Sequence, residues 1–137
     1  MTQQIKDDTD ASVTIRLEDV RPVGTYTVNL ADGSVVGRAD FVRPPAVDGE
    51  RIFFHTEVDR KFGGRGLARL LVRGVLEDSI RTNITVVPVC PLFAAHLKEH
   101  GDEFVAMGGK FRRPRPADLQ LVTHAVRAEE GHAITDS

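Results

Sequence analysis

Cysteine is nearly absent from this sequence: Cys90 is the one example among 137 residues. An internal disulfide framework and a multi-cysteine zinc cluster are therefore excluded, and the usage fits a reducing compartment, which makes a cytoplasmic location the expectation. Charge of one sign is lacking too, because 18 lysines and arginines against 20 aspartates and glutamates leave a formal net charge of −2. Neither nucleic-acid binding through bulk charge nor a polybasic membrane anchor follows from that balance. Any bound anion must be held locally. No apolar run approaches the roughly 18 to 20 residues of a membrane span. The opening MTQQIKDDTD is acidic where a signal peptide would be basic and then apolar. With 41% hydrophobic and 28% charged residues, what is present has the composition of one globular domain.

Residues 1–11 set Lys6 against Asp7, Asp8 and Asp10 with little apolar surface, so they read as a flexible N-terminal tail. Residues 112–137 begin with clustered arginines and two prolines and read as a second tail, carrying one short apolar patch over 119–126. The folded domain is expected over 12–111. Within it, TYTVNL (25–30) and VVGRADFV (35–42) flank the turn formers Ala31, Asp32, Gly33 and Ser34, which predicts a β-hairpin. RIFFHTEV (51–58) has the continuous apolar centre of a buried strand. Leu67, Leu70, Leu71, Val75 and Leu76 recur at three- and four-residue spacing, which predicts a helix to about Ile80. ITVVPV (84–89) is a further strand, and Pro88 argues that it is splayed or at an edge. Pro91 suits the first turn of a second helix that runs to Gly101. The order β-β-β-α-β-α implies an α+β fold, a mixed sheet with two main helices.

Between the third strand and the first helix stands the run from Arg60 to Ala68, RKFGGRGLA. Gly63, Gly64 and Gly66 let the backbone turn tightly and aim several N–H groups at one point. The helix N-terminus adds partial positive charge, and Arg60, Lys61 and Arg65 add full charges, a combination suited to a diphosphate. The Lys-Ser/Thr ending of a P-loop and the dinucleotide fingerprint are both missing, which disfavours nucleotide hydrolysis and dinucleotide redox chemistry.

HTEV (55–58), GGRGLARLLV (63–72) and VVPVCP (86–91), in that order, resemble the small single-domain members of the GNAT superfamily of N-acetyltransferases. The resemblance covers about residues 24–105 and implies a compact, mostly antiparallel sheet. It also implies that acetyl-coenzyme A is the cosubstrate, with no metal, and that a primary amine on a small molecule or a protein is the acceptor. The superfamily's loop follows Q/R-x-x-G-x-G/A, and its amides hold the coenzyme's pyrophosphate. Gly66 and Ala68 match the last two positions, whereas Gly63 stands where Gln or Arg is usual. The implied cofactor-binding set is Val58, Gly63, Gly64, Arg65, Gly66, Leu67 and Ala68. The strands ending at Val58 and Val89 are implied to splay apart, leaving backbone to pair with the pantetheine arm. The loss of a contact at Gly63 motivates an alternative, a coenzyme-A-binding module without turnover.

Acetyl transfer to an amine needs a base for the amine and an acid for the departing thiolate. His55 and Glu57 are the near-site base candidates and share a strand face, with Thr56 turned the other way. Cys90 precedes the second helix, where the partial charge of a helix N-terminus favours a thiolate. It can carry the acetyl group or give its proton to the leaving coenzyme, and small members of the family carry a cysteine at this place. His96 and His100 lie four apart on one helix face with Cys90 nearby, but only two of the three share that face and no carboxylate is spaced to complete a metal site. Arg65, Arg69 and Arg73 form a row at four-residue spacing with Glu77 beyond, the pattern of a solvated face. Only Arg65, nearest the loop, is placed to reach the 3′-phosphate that the resemblance implies.

Overall fold

In the computed structural model, residues 2–6, 12–19, 22–45, 47–63 and 66–136 are described, with backbone alone for 2–6 and 129–136. Among the described residues, seven strands form one sheet in chain order: β1 (Thr2–Lys6), β2 (Ser12–Glu18), β3 (Gly24–Leu30), β4 (Val35–Val42), β5 (Glu50–Val58), β6 (Thr85–Pro88) and β7 (Lys110–Phe111). Pairing is antiparallel from β1 to β5 and parallel from β5 to β7. Among the described residues, three α-helices complete the fold, α1 (Leu67–Arg81), α2 (Pro91–Ala106) and α3 (Pro116–Asp136), with a 3-10 turn at Arg60–Phe62 ahead of α1. This is the mixed, mostly antiparallel α+β sheet that the sequence implies, with added strands and a third helix.

The main core fills the space between the sheet and the α1 and α2 helices. Leu71, Val75, Phe41, Phe53 and Phe93 are fully buried there, each contributing about 1.5–3 kcal/mol relative to an exposed side chain. Phe53 and Phe93 stack with ring centroids 4.8 Å apart, tying β5 to α2. Tyr26 lies in the same core, where its hydroxyl donates to Asp78 on α1 and accepts from Arg51 Nη1 at 2.7 Å. Burial, and then the Asp78 bond, push the Tyr26 phenol above its ordinary range.

The opposite face of the sheet carries a smaller core of Val23, Val42, Ile52, Val87 and Ala125, and α3 covers it. Residues 112–137 were expected as a tail, and the structure places a 21-residue helix there. Proline is tolerated in a helix's first turn, so Pro116 begins α3 rather than preventing it. The helix start is fixed by Arg112, whose guanidinium donates to both oxygens of Glu50 at 2.9 Å and to both oxygens of Asp118 at 2.8 and 2.9 Å. Those bonds hold both carboxyls below their ordinary range and raise the guanidinium above its own.

The expected tail over 1–11 likewise carries a strand, β1, paired with β2 from Thr2↔Arg16 to Lys6↔Ser12. An edge strand draws on main-chain bonds to its neighbour, so a polar segment can form one without an apolar face. Of that span, residues 1 and 7–11 lie outside the described residues.

Two features of β5 position the site. Between Asp40↔His55 and Phe41↔Phe53 the register slips, leaving Phe54 as an extra residue, a β-bulge. Beyond Phe53↔Pro88 the parallel neighbour departs, because Val89 N and Cys90 N both turn to Phe53 O at 2.9 and 2.8 Å. Past that point β5 has β4 on one side and, among the described residues, an open edge on the other. Pro88 thus ends β6 at the splay, beyond the reach of β7, which pairs with Thr85 and Val86.

Candidate active site

A groove of about 690 Å³ opens where the splay meets the start of α1. Its walls are the end of β5 (Val58, Asp59), the following turn (Arg60, Phe62, Gly63), the first turns of α1 (Gly66, Leu67, Ala68, Arg69, Val72) and α2 (Leu92, His96). Gly66 is the N-cap of α1 at φ +70°, a left-handed conformation that glycine adopts without penalty and other residues resist. No side chain caps this helix. The first-turn amides of Leu67, Ala68 and Arg69 therefore have no partner within the helix, and the residues that carry them line the groove. An anion laid there meets main-chain donors and the positive end of the helix dipole together. Gly63 has extended backbone, and a Cβ on it would stand 3.3 Å from Arg60 O.

Cys90 is the N-cap of α2, 4% exposed, at the closed end of the splay. Its Sγ lies 3.2 Å from Thr56 Oγ1, and either atom can donate. The sequence reading turned Thr56 away from the site candidates. It does turn away from His55 and Glu57, and there it meets the thiol.

On the other face of β5, cross-strand pairing sets Asp40 opposite His55 and Arg38 opposite Glu57. His55 Nε2 is 3.7 Å from Glu57 Oε2, Arg38 Nε is 3.7 Å from the same oxygen, and Arg38 also lies 3.5 Å from Asp40 Oδ2. Thr25 Oγ1 donates to Asp40 at 2.8 Å. His55 and Glu57 are half-exposed to exposed, so this face of the strand is open to an incoming molecule.

Residues 25–106, more than half of the chain, match the family model described as GCN5-related N-acetyl-transferase. The chain belongs to that family. The strands β1 and β2 and the helix α3 lie outside the matched stretch. No curated protein matches the sequence. Among solved structures, similarity extends to the ribosomal-protein-S18-alanine N-acetyltransferase of Escherichia coli (17% identity, 48% of this chain and 40% of that one, TM-score 0.41). It extends also to a cAMP-binding acyltransferase of Mycobacterium smegmatis, an E234A mutant (12% identity, 61% and 36%, TM-score 0.49). A third is the ribosomal-protein-alanine N-acetyltransferase of Brucella melitensis biovar Abortus (17% identity, 71% and 55%, TM-score 0.42). This chain spans less than two thirds of the length of each.

For this member of the family, Val58, Gly63, Gly66, Leu67 and Ala68 from the sequence reading all line one groove. Gly64 and Arg65 lie outside the described residues. His55 and Glu57 stand on the opposite face of β5 from Cys90, so the base candidates and the thiol are separated by the strand itself. The sequence reading missed Thr56, Arg69, Leu92 and His96. Arg69 and His96 had been seen as parts of helical rows, and only the packing of α1 against α2 turns both into one groove. Among the described residues, no group of three or more His, Cys, Asp or Glu is placed to hold a metal ion, and no helix is long and apolar enough to cross a membrane.

Proposed function

We propose that this chain transfers an acetyl group from acetyl-coenzyme A to a primary amine, on a small molecule or on a protein. The observation that carries the reading is the groove at the uncapped N-terminus of α1, where Gly66 brings main-chain donors to one point beside the open edge of β5. The diphosphate sits on the amides of Leu67, Ala68 and Arg69. The pantetheine arm runs along the open edge of β5, adding main-chain bonds in the manner of an extra strand, which directs the thioester toward the bulge at Phe54.

Chemistry divides between the two faces of β5. The amine approaches from the side of His55 and Glu57, one of which takes its proton as nitrogen bonds to the thioester carbon. The carbon–sulfur bond then breaks, and the coenzyme leaves as a thiolate that takes a proton from the Cys90 thiol. An acid role for Cys90 suits its position better than a covalent one, since an acetylated Cys90 would lie across the strand from the amine.

Calorimetry with acetyl-coenzyme A, followed by assays of free coenzyme thiol over a panel of amines, tests the proposal. Saturable binding with amine-dependent thiol release is expected. Binding without release from any amine would support the coenzyme-binding module instead, and absence of binding would overturn both.

A further inference from the structure

A bowl of about 870 Å³ lies between the start of β4 and the end of β5. Val35, Gly37 and Arg38 form one wall, and Glu57, Arg60 and Lys61 form the other. The bowl shares Val58, Asp59 and Arg60 with the coenzyme groove, so the two concavities meet at the end of β5. A site for a second substrate has to open onto the first, and this one does so beside the base candidate Glu57. α3 covers that face of the sheet farther along, at Val42 and Ile52, which leaves Arg38 and Glu57 exposed.

The charges of the bowl are mixed. Arg38, Arg60 and Lys61 stand against the carboxylates of Glu57 and Asp59, and Asp59 is already turned to the main chain, accepting from Lys61 N at 3.0 Å. A plain alkylammonium gains nothing from that surplus of positive charge, whereas an amine that also carries an anionic group does. Arg38 is the cation held in place for it. Its Nε lies 3.5 Å from Asp40 Oδ2 and 3.7 Å from Glu57 Oε2, and the Asp40 side chain, 8% exposed, is itself fixed by Thr25 Oγ1. The Arg38 side chain remains 51% exposed, which leaves guanidinium donors for a ligand.

A carboxylate beside an arginine is the complement of a zwitterion. An acceptor whose amine and carboxylate lie a few carbons apart can set the amine on Glu57 and the carboxylate on Arg38. It exchanges one exposed pair at 3.7 Å for two charge-assisted bonds of about 2.9 Å. We infer that the bowl is the acceptor site and that Arg38 selects amines bearing a carboxylate, as short amino acids do. The acceptor's carboxylate takes no part in bond making. The amine nitrogen bonds to the acetyl carbon and gives its proton to Glu57 or His55, and the carbon–sulfur bond breaks to release the coenzyme as above. The inference rests on the acetyl-transfer reading and deepens it by naming the acceptor class.

The experiment compares matched acceptors by thiol release on the full chain: β-alanine with ethylamine, γ-aminobutyrate with propylamine, and lysine with cadaverine, each pair differing by the carboxylate alone. In at least one pair, kcat/KM is expected to be about tenfold higher for the acid-bearing member, the exposure of Arg38 keeping the gain below that of a buried pair. In Arg38→Gln that preference should disappear, through a higher KM rather than a lower kcat. Arg38→Lys keeps the charge beside Asp40 but lacks the planar fork, so a reduced preference there tests the same point should Arg38→Gln not fold. Wild type using the decarboxylated member equally well or better in every pair would overturn the inference and leave acetyl transfer standing. So would turnover of other amines with none of these six. A preference undiminished in the variants would also overturn it, by placing the carboxylate elsewhere. Binding of acetyl-coenzyme A without thiol release from any amine would overturn the transfer reading and this inference together.

Discussion

Thr56 Oγ1 and Cys90 Sγ approach to 3.2 Å at the closed end of the splay, joining β5 to the N-cap of α2. The contact fixes which way the thiol points. Replacing Cys90 by serine is expected to leave acetyl-coenzyme A affinity within about twofold while lowering kcat by about a hundredfold, the loss of an acid in the transfer step. Thr56→Val should lower kcat about tenfold with unchanged affinity, and Thr56→Ser should restore it. Steady-state thiol release together with calorimetry reads both; equal rates in wild type and Cys90→Ser would remove the thiol from the chemistry.

Gly66 separates strain from crowding. At φ +70° any other residue meets the left-handed penalty, so Gly66→Ala is expected to cost about 1–2 kcal/mol in urea unfolding. Gly66→Arg carries the same penalty and places a long side chain at the rim of the groove. Coenzyme affinity should fall much further in the arginine variant than in the alanine variant; equal affinities in the two would place the diphosphate elsewhere.

Arg112 gives a pH signature. Glu50 and Asp118 have lowered pKa values in the folded chain because of their bonds to Arg112. Their stabilising contribution is therefore complete above the unfolded carboxylate range, about pH 4, and is lost as pH falls through the lower folded values. Arg112→Met should flatten that acid limb and cost about 1–3 kcal/mol at neutral pH, since it leaves the buried Asp118 and the largely buried Glu50 carboxylates without their partner. Urea unfolding from pH 2 to pH 7 measures both. An acid limb identical in variant and wild type would show that the latch does not control it.

Tyr26→Phe removes the hydroxyl that joins Arg51 to Asp78 at the centre of the sheet. Asp78, fully buried, keeps Arg81 Nη2 at 2.7 Å. A loss of about 1–3 kcal/mol is expected from chemical denaturation, the cost of unsatisfied buried polar groups. A change under 0.5 kcal/mol would mean that the remaining partners suffice.

Elements whose own residues bury a clear face were legible in the sequence. The VVGRADFV strand falls on β4, Val35–Val42, and the leucine spacing that starts at Leu67 falls on α1. The Pro88 reading, splayed or at an edge, corresponds to the end of β6 at the splay. Gly101 was read as the end of the second helix, yet α2 continues to Ala106. That glycine is buried, and a Cβ on it would stand 2.8 Å from Phe111 Cζ, so it is there for close packing against β7. His100 has non-helical backbone at φ −120°, a kink that marks the expected stop without making it one. β2 alternates Val13 and Ile15 inward with Thr14 and Arg16 more exposed and was open to a period-two reading. The third helix was not: its start is held through Arg112 to Glu50, 62 residues away, and its apolar residues pack on strands far back in the chain. Among site residues, the glycine loop was legible because its chemistry is local. The Thr56–Cys90 pair and the Arg69–His96 wall of the groove arise only where separate elements meet.

Main-chain amide spectra of the labelled protein titrated with acetyl-coenzyme A test the central claim most directly. The largest perturbations are expected at Gly66, Leu67, Ala68 and Arg69, with smaller ones along β5 near Val58. Saturating coenzyme that leaves those four amides unmoved, or that shifts only residues around α3, would contradict it.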